Sequence, residues 1–441
     1  MPTAYWAPNQ AAVAQVRTYN FTAPTSVGNH YKATLNGKTI TYSSVSGDTA
    51  ALVATGLFNL LNVSTGIAAE FTEITFANPS DGTMTATAKV PGTPFAGVPG
   101  TDRGLVLSTG NGLANGITTA DTTPNASPSD VNDAQNWLRV TLPAAGVRAI
   151  PVNGDDVDVR NSAVPMLWSL DQLAAVQFQT YTRWQSMTGE IGLPEINPGG
   201  YTEWRATYLK FSGPQGSVPA GGLVMVLGQG STGAGPSLEK YNAGSQPTTL
   251  HVLAAGQAAG EYGVYFLGVH TANTFKLLGG VSLGVAVLAG ETARLASCSM
   301  DGSARLGIGE GVTWTASSTL TVLSGTVVIS AAPTTLALYN GAQATFLKDG
   351  LTWAAITAQG GCQLTWLCGG TITLLVLQTS SVLDKQDLRT LTITNTTMDG
   401  DTCYINDPLN SVVLTNAMYV LENILDGPFR RTGPCFVNVY T

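Results

Sequence analysis

The chain has 441 residues, enough for several domains and a large core, yet only 11% are charged and the formal net charge is -8. Lys and Arg are scattered singly, so no basic stripe follows a phosphate backbone, and the apolar runs are strand-sized, far short of the ~20 residues of a membrane span. Nucleic-acid binding and a membrane-spanning helix are therefore not expected. A surface this poor in charge is expected to be covered by copies of itself, as a homo-oligomer with a trimer favoured. The five Cys are an odd number and read as buried free thiols, and the three His are isolated, so neither a metal site nor a cofactor is expected.

Residues 1–18 read as an extended arm without a clear period. The start Met1-Pro2-Thr3-Ala4-Tyr5-Trp6 has no basic stretch leading into an apolar one, so a Sec signal is not expected. A small α+β domain is predicted over 19–100. Asn36-Gly37, between Tyr31–Leu35 and Thr39–Tyr42, is the strongest short hairpin signal. Thr49 is placed to cap a helix whose Leu52, Val53, Leu57, Leu60 and Leu61 recur at helical spacing, and strands are expected at Thr72–Phe76 and Met84–Ala88. The order is ββαββ. Residues 101–149, rich in Gly, Pro, Asn, Asp and Thr, read as a linker that recovers a strand near Gln135–Val140.

A body built of short strands is expected over 150–416. Three phrases alternate apolar residues with Thr, Ala or Ser and close on Gly: Thr319–Gly325, Thr335–Gly341 and Gln363–Gly369. A second echo joins Gly311-Val312-Thr313-Trp314 to Gly350-Leu351-Thr352-Trp353. Repeated short strands with turn signals and almost no charge suggest stacked coils of a parallel β-helix, with an antiparallel sandwich as the other possibility. The fold class expected is mainly β, a ββαββ domain followed by a β-helix. Leu323, Leu338 and Leu367 hold similar places in the three phrases and are expected to stack in one interior row. Residues 417–441 are expected to cap the end.

The succession Ala33–Tyr42, Gly47-Asp48-Thr49-Ala50, the helix, Thr83–Ala88 and Gly92-Thr93-Pro94-Phe95 resembles a small domain of tailed-bacteriophage structural proteins and related bacterial surface proteins. Ile150–Val159, with its Gly154-Asp155-Asp156-Val157 turn, resembles the opening of β-helical segments in phage proteins. These resemblances imply a virion structural protein on the tail, baseplate or capsid exterior, contacting other virion proteins and, in attachment, a host-surface glycan. A tailspike-type polysaccharide depolymerase and a bacterial adhesin or matrix protein are the alternatives.

Two residue sets could carry chemistry. Asp155, Asp156 and Asp158 could bind a cation, although Asn153-Gly154-Asp155 is also plain turn chemistry. Trp184, Glu190, Glu195 and Trp204, with Glu203 nearby, could form an aromatic, acidic surface for glycan contact. No nucleophile motif and no phosphate loop occurs, and no catalytic residue is expected.

Overall fold

The computed structural model describes residues 2–62, 66–96, 104–114, 116–141, 144–211, 222–230, 235–254, 262–399, 403–416, 418–420, 430–431 and 437–439. The chain is mainly β, a β-solenoid of about 11 turns with a small domain near its N-terminus.

Two ladders make the solenoid. One runs through Asp156–Val159, Thr180–Trp184, Leu223–Gln229, Thr248–Val252, Thr274–Leu278 and Ala293–Asp301, then on to Leu391–Asp399. The other runs from Leu209–Lys210 through Glu239–Asn242, Val264–Leu267 and Ser282–Val285 to Tyr404–Asn406. From Thr180–Trp184 to Val412–Leu414 the strands of the two ladders alternate along the chain and successive rungs pair in parallel, so each coil climbs one step. From Ala293 onward the longer strands bend. Leu295 and Ser297 stand on either side of a register shift, and the pairing of Leu351–Trp353 with Gly370–Ile372 skips a residue before Ala355 meets Leu374. The bend divides the first ladder into two faces, so the later coils have three.

Alternation decides which residues fill the interior. Leu320, Leu336, Ile356 and Leu375 form one inward row, Val322, Leu338, Ala358 and Leu377 another, and all are buried. Phe346 and Trp366 stack at 4.0 Å between ring centroids, with Trp353 edge-on to Phe346. Only two of the three echoing phrases therefore share a face. Thr319–Val322 pairs with Thr335–Leu338, whereas Gln363–Trp366 lies in the other ladder between Gln343–Phe346 and Val382–Lys385. Val322, not Leu323, stands over Leu338. The expected single row is corrected: Leu338 is buried, Leu367 is half-buried and Leu323 is exposed at a corner.

The N-terminal arm is not separate. Thr3–Trp6 pairs in parallel with Asp156–Val159 and antiparallel with Trp137–Val140, so the solenoid begins at Thr3, not near 150. Four residues are too few to show a period, and their partner lies far along the chain. Trp6 and Trp137 meet edge-on at 5.1 Å. The antiparallel strands Trp137–Val140 and Val147–Arg148 cover what would be an open edge of the ladder.

The small domain is thus inserted between the solenoid's first strand and the rest. The strands His30–Leu35 and Lys38–Ser43, the helix Ala50–Leu61, and the strands Ile74–Ser80 and Thr83–Ala88 occur in the expected order. The Asn36-Gly37 turn has φ of 50° and 73°, the left-handed pair that a two-residue hairpin requires. Thr49 caps the helix by accepting from the Leu52 amide at 3.3 Å. The 101–149 linker is corrected: Val106–Gly110 pairs with His30–Leu35, Ile117–Thr123 pairs with Val16–Phe21, and both belong to the domain. Their Thr, Ser and Gly content hides them because they are half-exposed, where polar residues cost little.

At the C-terminus, Arg430–Arg431 and Val437–Val439 add rungs to Val412–Leu414 and Met418–Val420; the remainder of 417–441 lies outside the described residues. Cys298, Cys362 and Cys368 are buried free thiols, Cys403 is buried as well, and burial pushes the Cys298 thiol up to about 12. Cys435 lies outside the described residues.

Candidate functional site

The inserted domain meets the solenoid across a seam made by Glu73 on one side and residues 193–205 on the other. Tyr201 and Trp204 leave the solenoid chain to join the domain's hydrophobic core. Beside them Arg205 is buried, and its guanidinium is fully engaged. Nη1 donates to both carboxylate oxygens of Glu203 at 3.0 and 3.2 Å, Nη2 donates to Glu73, and Nε donates to the Pro94 carbonyl at 2.9 Å. The guanidinium lies over the rings of Trp204 at 4.2 Å and Trp168 at 5.2 Å. Burial alone would lower the Arg205 pKa, but the Glu203 and Glu73 carboxylates outweigh it and the shift is upward. The cation stays charged and ties the domain to the solenoid.

A cavity of about 500 Å3 opens on this network, lined among others by Glu73, Trp168, Glu190, Leu193, Tyr201 and Glu203. The Tyr201 hydroxyl donates to Glu73, and burial followed by that bond pushes its pKa far up. Asn197 Nδ2 donates to Glu203 at 2.8 Å. Glu203 also accepts the Trp204 and Arg205 amides at 2.9 Å each. Its side chain is 1% exposed against 20% for Glu73. The floor is therefore a pair of carboxylates that share one Arg, and the walls carry Trp168 and Leu193. Such a cavity combines a flat apolar surface with fixed polar groups, the arrangement that small-ligand sites share.

The residues expected to contact a glycan do not come together. Glu190 does line the cavity, exposed, with its Oε1 accepting from Ser237 at 2.7 Å. Glu195 is exposed and takes part through its backbone carbonyl, which accepts the Glu203 amide. Trp204 is buried in the domain core. Trp184 lies on the first ladder away from the seam, its Nε1 donating to Asp158 at 3.2 Å with Arg160 over its ring at 5.7 Å.

The three aspartates are corrected as a cation site, because each takes a partner within the protein. Asp155 is buried and held bidentate by Arg139 at 2.7 and 2.9 Å, and it accepts the Val152 amide at 3.0 Å. Asp156 accepts from Thr180 Oγ1 at 2.6 Å. Asp158 pairs with Arg160 at 3.1 Å as well as with Trp184. Among the described residues no group of three or more His, Cys, Asp or Glu is placed to hold a metal ion.

Glu73 and Arg205 are the seam residues that sequence reasoning misses. They lie 132 positions apart, and Glu73 ends a 3-10 turn with no motif around it. The available signal was scarcity: in a chain 11% charged, Glu203-Trp204-Arg205 places two charges around one aromatic.

Fold and seam together define a parallel β-solenoid carrying an inserted α+β domain on its first coil, fixed by a buried Arg–carboxylate network. Comparison of the chain with protein-family profiles, with curated proteins and with solved structures gives no match.

Proposed function

We propose that the chain is a structural protein of a tailed-phage particle, placed on the tail, baseplate or capsid exterior. In this reading the inserted domain attaches to another virion protein and the solenoid is a shaft that packs against copies of itself, as a trimer. The observation that carries it is the outer surface of the later coils. The face formed by 319–322, 335–338, 355–358, 374–377 and 395–398 contains no Asp, Glu, Lys, Arg or His, and Leu374 on it is exposed. A flat, uncharged sheet face is suited to lateral association and poorly suited to a lone soluble monomer. Immunogold labelling of isolated particles, with light scattering of the purified chain, tests the reading. Label on the particle and a mass of about three chains support it; a mass near 45.7 kDa at all concentrations, or unlabelled particles, overturns it.

The seam cavity favours a second role within this reading, contact with a host-surface glycan through Trp168, Tyr201 and Glu190. Hydrolysis is not part of it, since Glu73 and Glu203 share the Arg205 cation and neither is a free acid. Release of reducing ends from capsule or lipopolysaccharide, lost on replacing Glu73 and Glu203 by Gln, would make the chain a depolymerase instead.

A further inference from the structure

One rung of the solenoid is missing. Between the strand segments Thr326–Ile329 and Thr335–Tyr339 the chain has only residues 330–334, and it turns from one ladder to the other without laying down the first face. The coils on either side do lay it down, as Val312–Trp314 and Leu351–Trp353. These are the segments that echo each other in sequence, and the coil between them is the one that skips. Among the described residues no strand pairs with Val312–Trp314 on the side away from Ala293–Leu295, and none pairs with Leu351–Trp353 on the side away from Gly370–Ile372.

The gap is a groove of about 520 Å3 with these strand edges as walls and Ala331, Ala332 and Pro333 as floor. Two rungs of a sheet are about 9.5 Å apart, room for one extended strand between them. Polar contacts cross the skipped coil at both corners of the groove. Lys348 pairs with Glu310 at 2.6 Å across the skipped coil. At the other corner Thr334 Oγ1 donates to the Ala316 carbonyl at 2.9 Å, and the Thr334 amide donates to Ser318 Oγ at 2.9 Å.

The side chains show what is missing. Trp314 and Leu351 face inward by alternation and pack on the core, as Val312 and Trp353 do, yet they are only half-buried where those two are buried. The Trp314 indole reaches the groove floor and donates to the Ala331 carbonyl at 3.0 Å. The rung that would cover both is absent.

We propose that this groove accepts an extended segment of a partner polypeptide, by strand addition, at the place of the missing rung. Its chemistry follows from the walls. Alternate residues of each wall direct N–H and C=O groups into the groove, which only a peptide backbone matches along both sides at once. Glu310 and Lys348 neutralise each other and no other Asp, Glu, Lys, Arg or His among the described residues lines the groove, so the segment is uncharged. Trp314 and Leu351 ask for apolar residues at alternate positions. This inference stands apart from the particle reading and holds whatever assembly the chain enters.

The test uses the full chain and, as probe, a capped heptapeptide with the chain's own rung sequence, Gly-Val-Thr-Trp-Thr-Ala-Ser, as at 311–317. Calorimetry should give one peptide per chain, and amide exchange at Thr313–Thr315 and Leu351–Trp353 should slow at least tenfold. The same peptide with Pro at its centre should do neither. Ala332→Tyr, which fills the floor, should abolish binding with the thermal transition unchanged; if that variant does not fold, the exchange pattern of the natural chain decides. Absence of binding, or binding without protection of both walls, overturns the proposal. Equal protection by maltoheptaose would make the groove a glycan site. Self-association lost in Ala332→Tyr would make the occupant a second copy.

Discussion

The early and late coils of the solenoid solve the same packing problem with different chemistry. From Ala293 onward the coils are short and their inward rows are mostly apolar, with Thr396 continuing the row of Leu375 and Lys385 pairing with Asp387. The coils before it carry excursions such as 160–179 and 185–208, and their interior contains charges. Arg183 and Glu239, on opposite ladders and both fully buried, form a bidentate pair with Nε to Oε2 at 3.0 Å. Glu239 also accepts from the Tyr241 hydroxyl at 2.7 Å, and Arg183 donates to the Ala254 carbonyl at 2.7 Å. Gly235 stands where a Cβ would come within 2.7 Å of Arg183 Nη1, so the pair also restricts its neighbours. Where rung lies over similar rung, as in most of the late coils, apolar side chains suffice. Where coils wander, buried carbonyls need donors, and a paired Arg supplies them.

The sharpest way to break this contrast is to unpair the early core. Glu239→Ala should cost about 3–5 kcal/mol because it strands the Arg183 charge, and adding Arg183→Met should recover most of that loss. Urea unfolding of the two single variants and the double variant measures it; a double variant as unstable as Glu239→Ala would show that the pair is not the staple. In the late core, Leu338→Ala should cost about 2–5 kcal/mol and Leu323→Ala no more than about 0.5 kcal/mol, although the two occupy equivalent places in their phrases. Equal losses would mean that the register is misassigned. On the surface of the late coils, Lys348→Ala should cost about 0–1 kcal/mol, with the difference vanishing in high salt, since both partners of that bridge are largely exposed.

Asp158 sharpens the comparison through pH. Burial raises its pKa against the opposing pull of Arg160 and the Trp184 bond, so the folded chain holds this proton more tightly than the unfolded chain. The folded state therefore binds more protons in the window between the ordinary carboxylate value near 3.8 and the raised one. Its contribution to stability should improve as pH falls through that window and level off below it. Asp158→Asn should remove this slope, and a slope unchanged in the variant would assign it to another carboxylate. The raised Asp130 is the next to replace.

Short-range patterning in the sequence was sufficient for the local parts. Alternation over Thr319–Val322 and Thr335–Leu338, the Asn36-Gly37 turn and the Thr49 cap each depend on neighbours a few positions away, and each is found as read. The mainly β class and the stacked coils follow from the same local signals repeated. Tertiary structure decided whatever depends on partners far apart in the chain. Thr3–Trp6 looks like an arm because its ladder partner is Asp156–Val159, and Gln363–Trp366 looks like a third copy of one row until its register with Gln343–Phe346 places it on another ladder. The seam was the least legible. Glu73 meets Arg205 only because the inserted domain folds back on the solenoid, and Trp204, which reads as a surface aromatic, is drawn into the domain core beside it. A carboxylate or an indole has no local period to announce its partner, whereas a strand does, so the sequence determined the coils, and the fold alone determined the charged seam and the skipped rung.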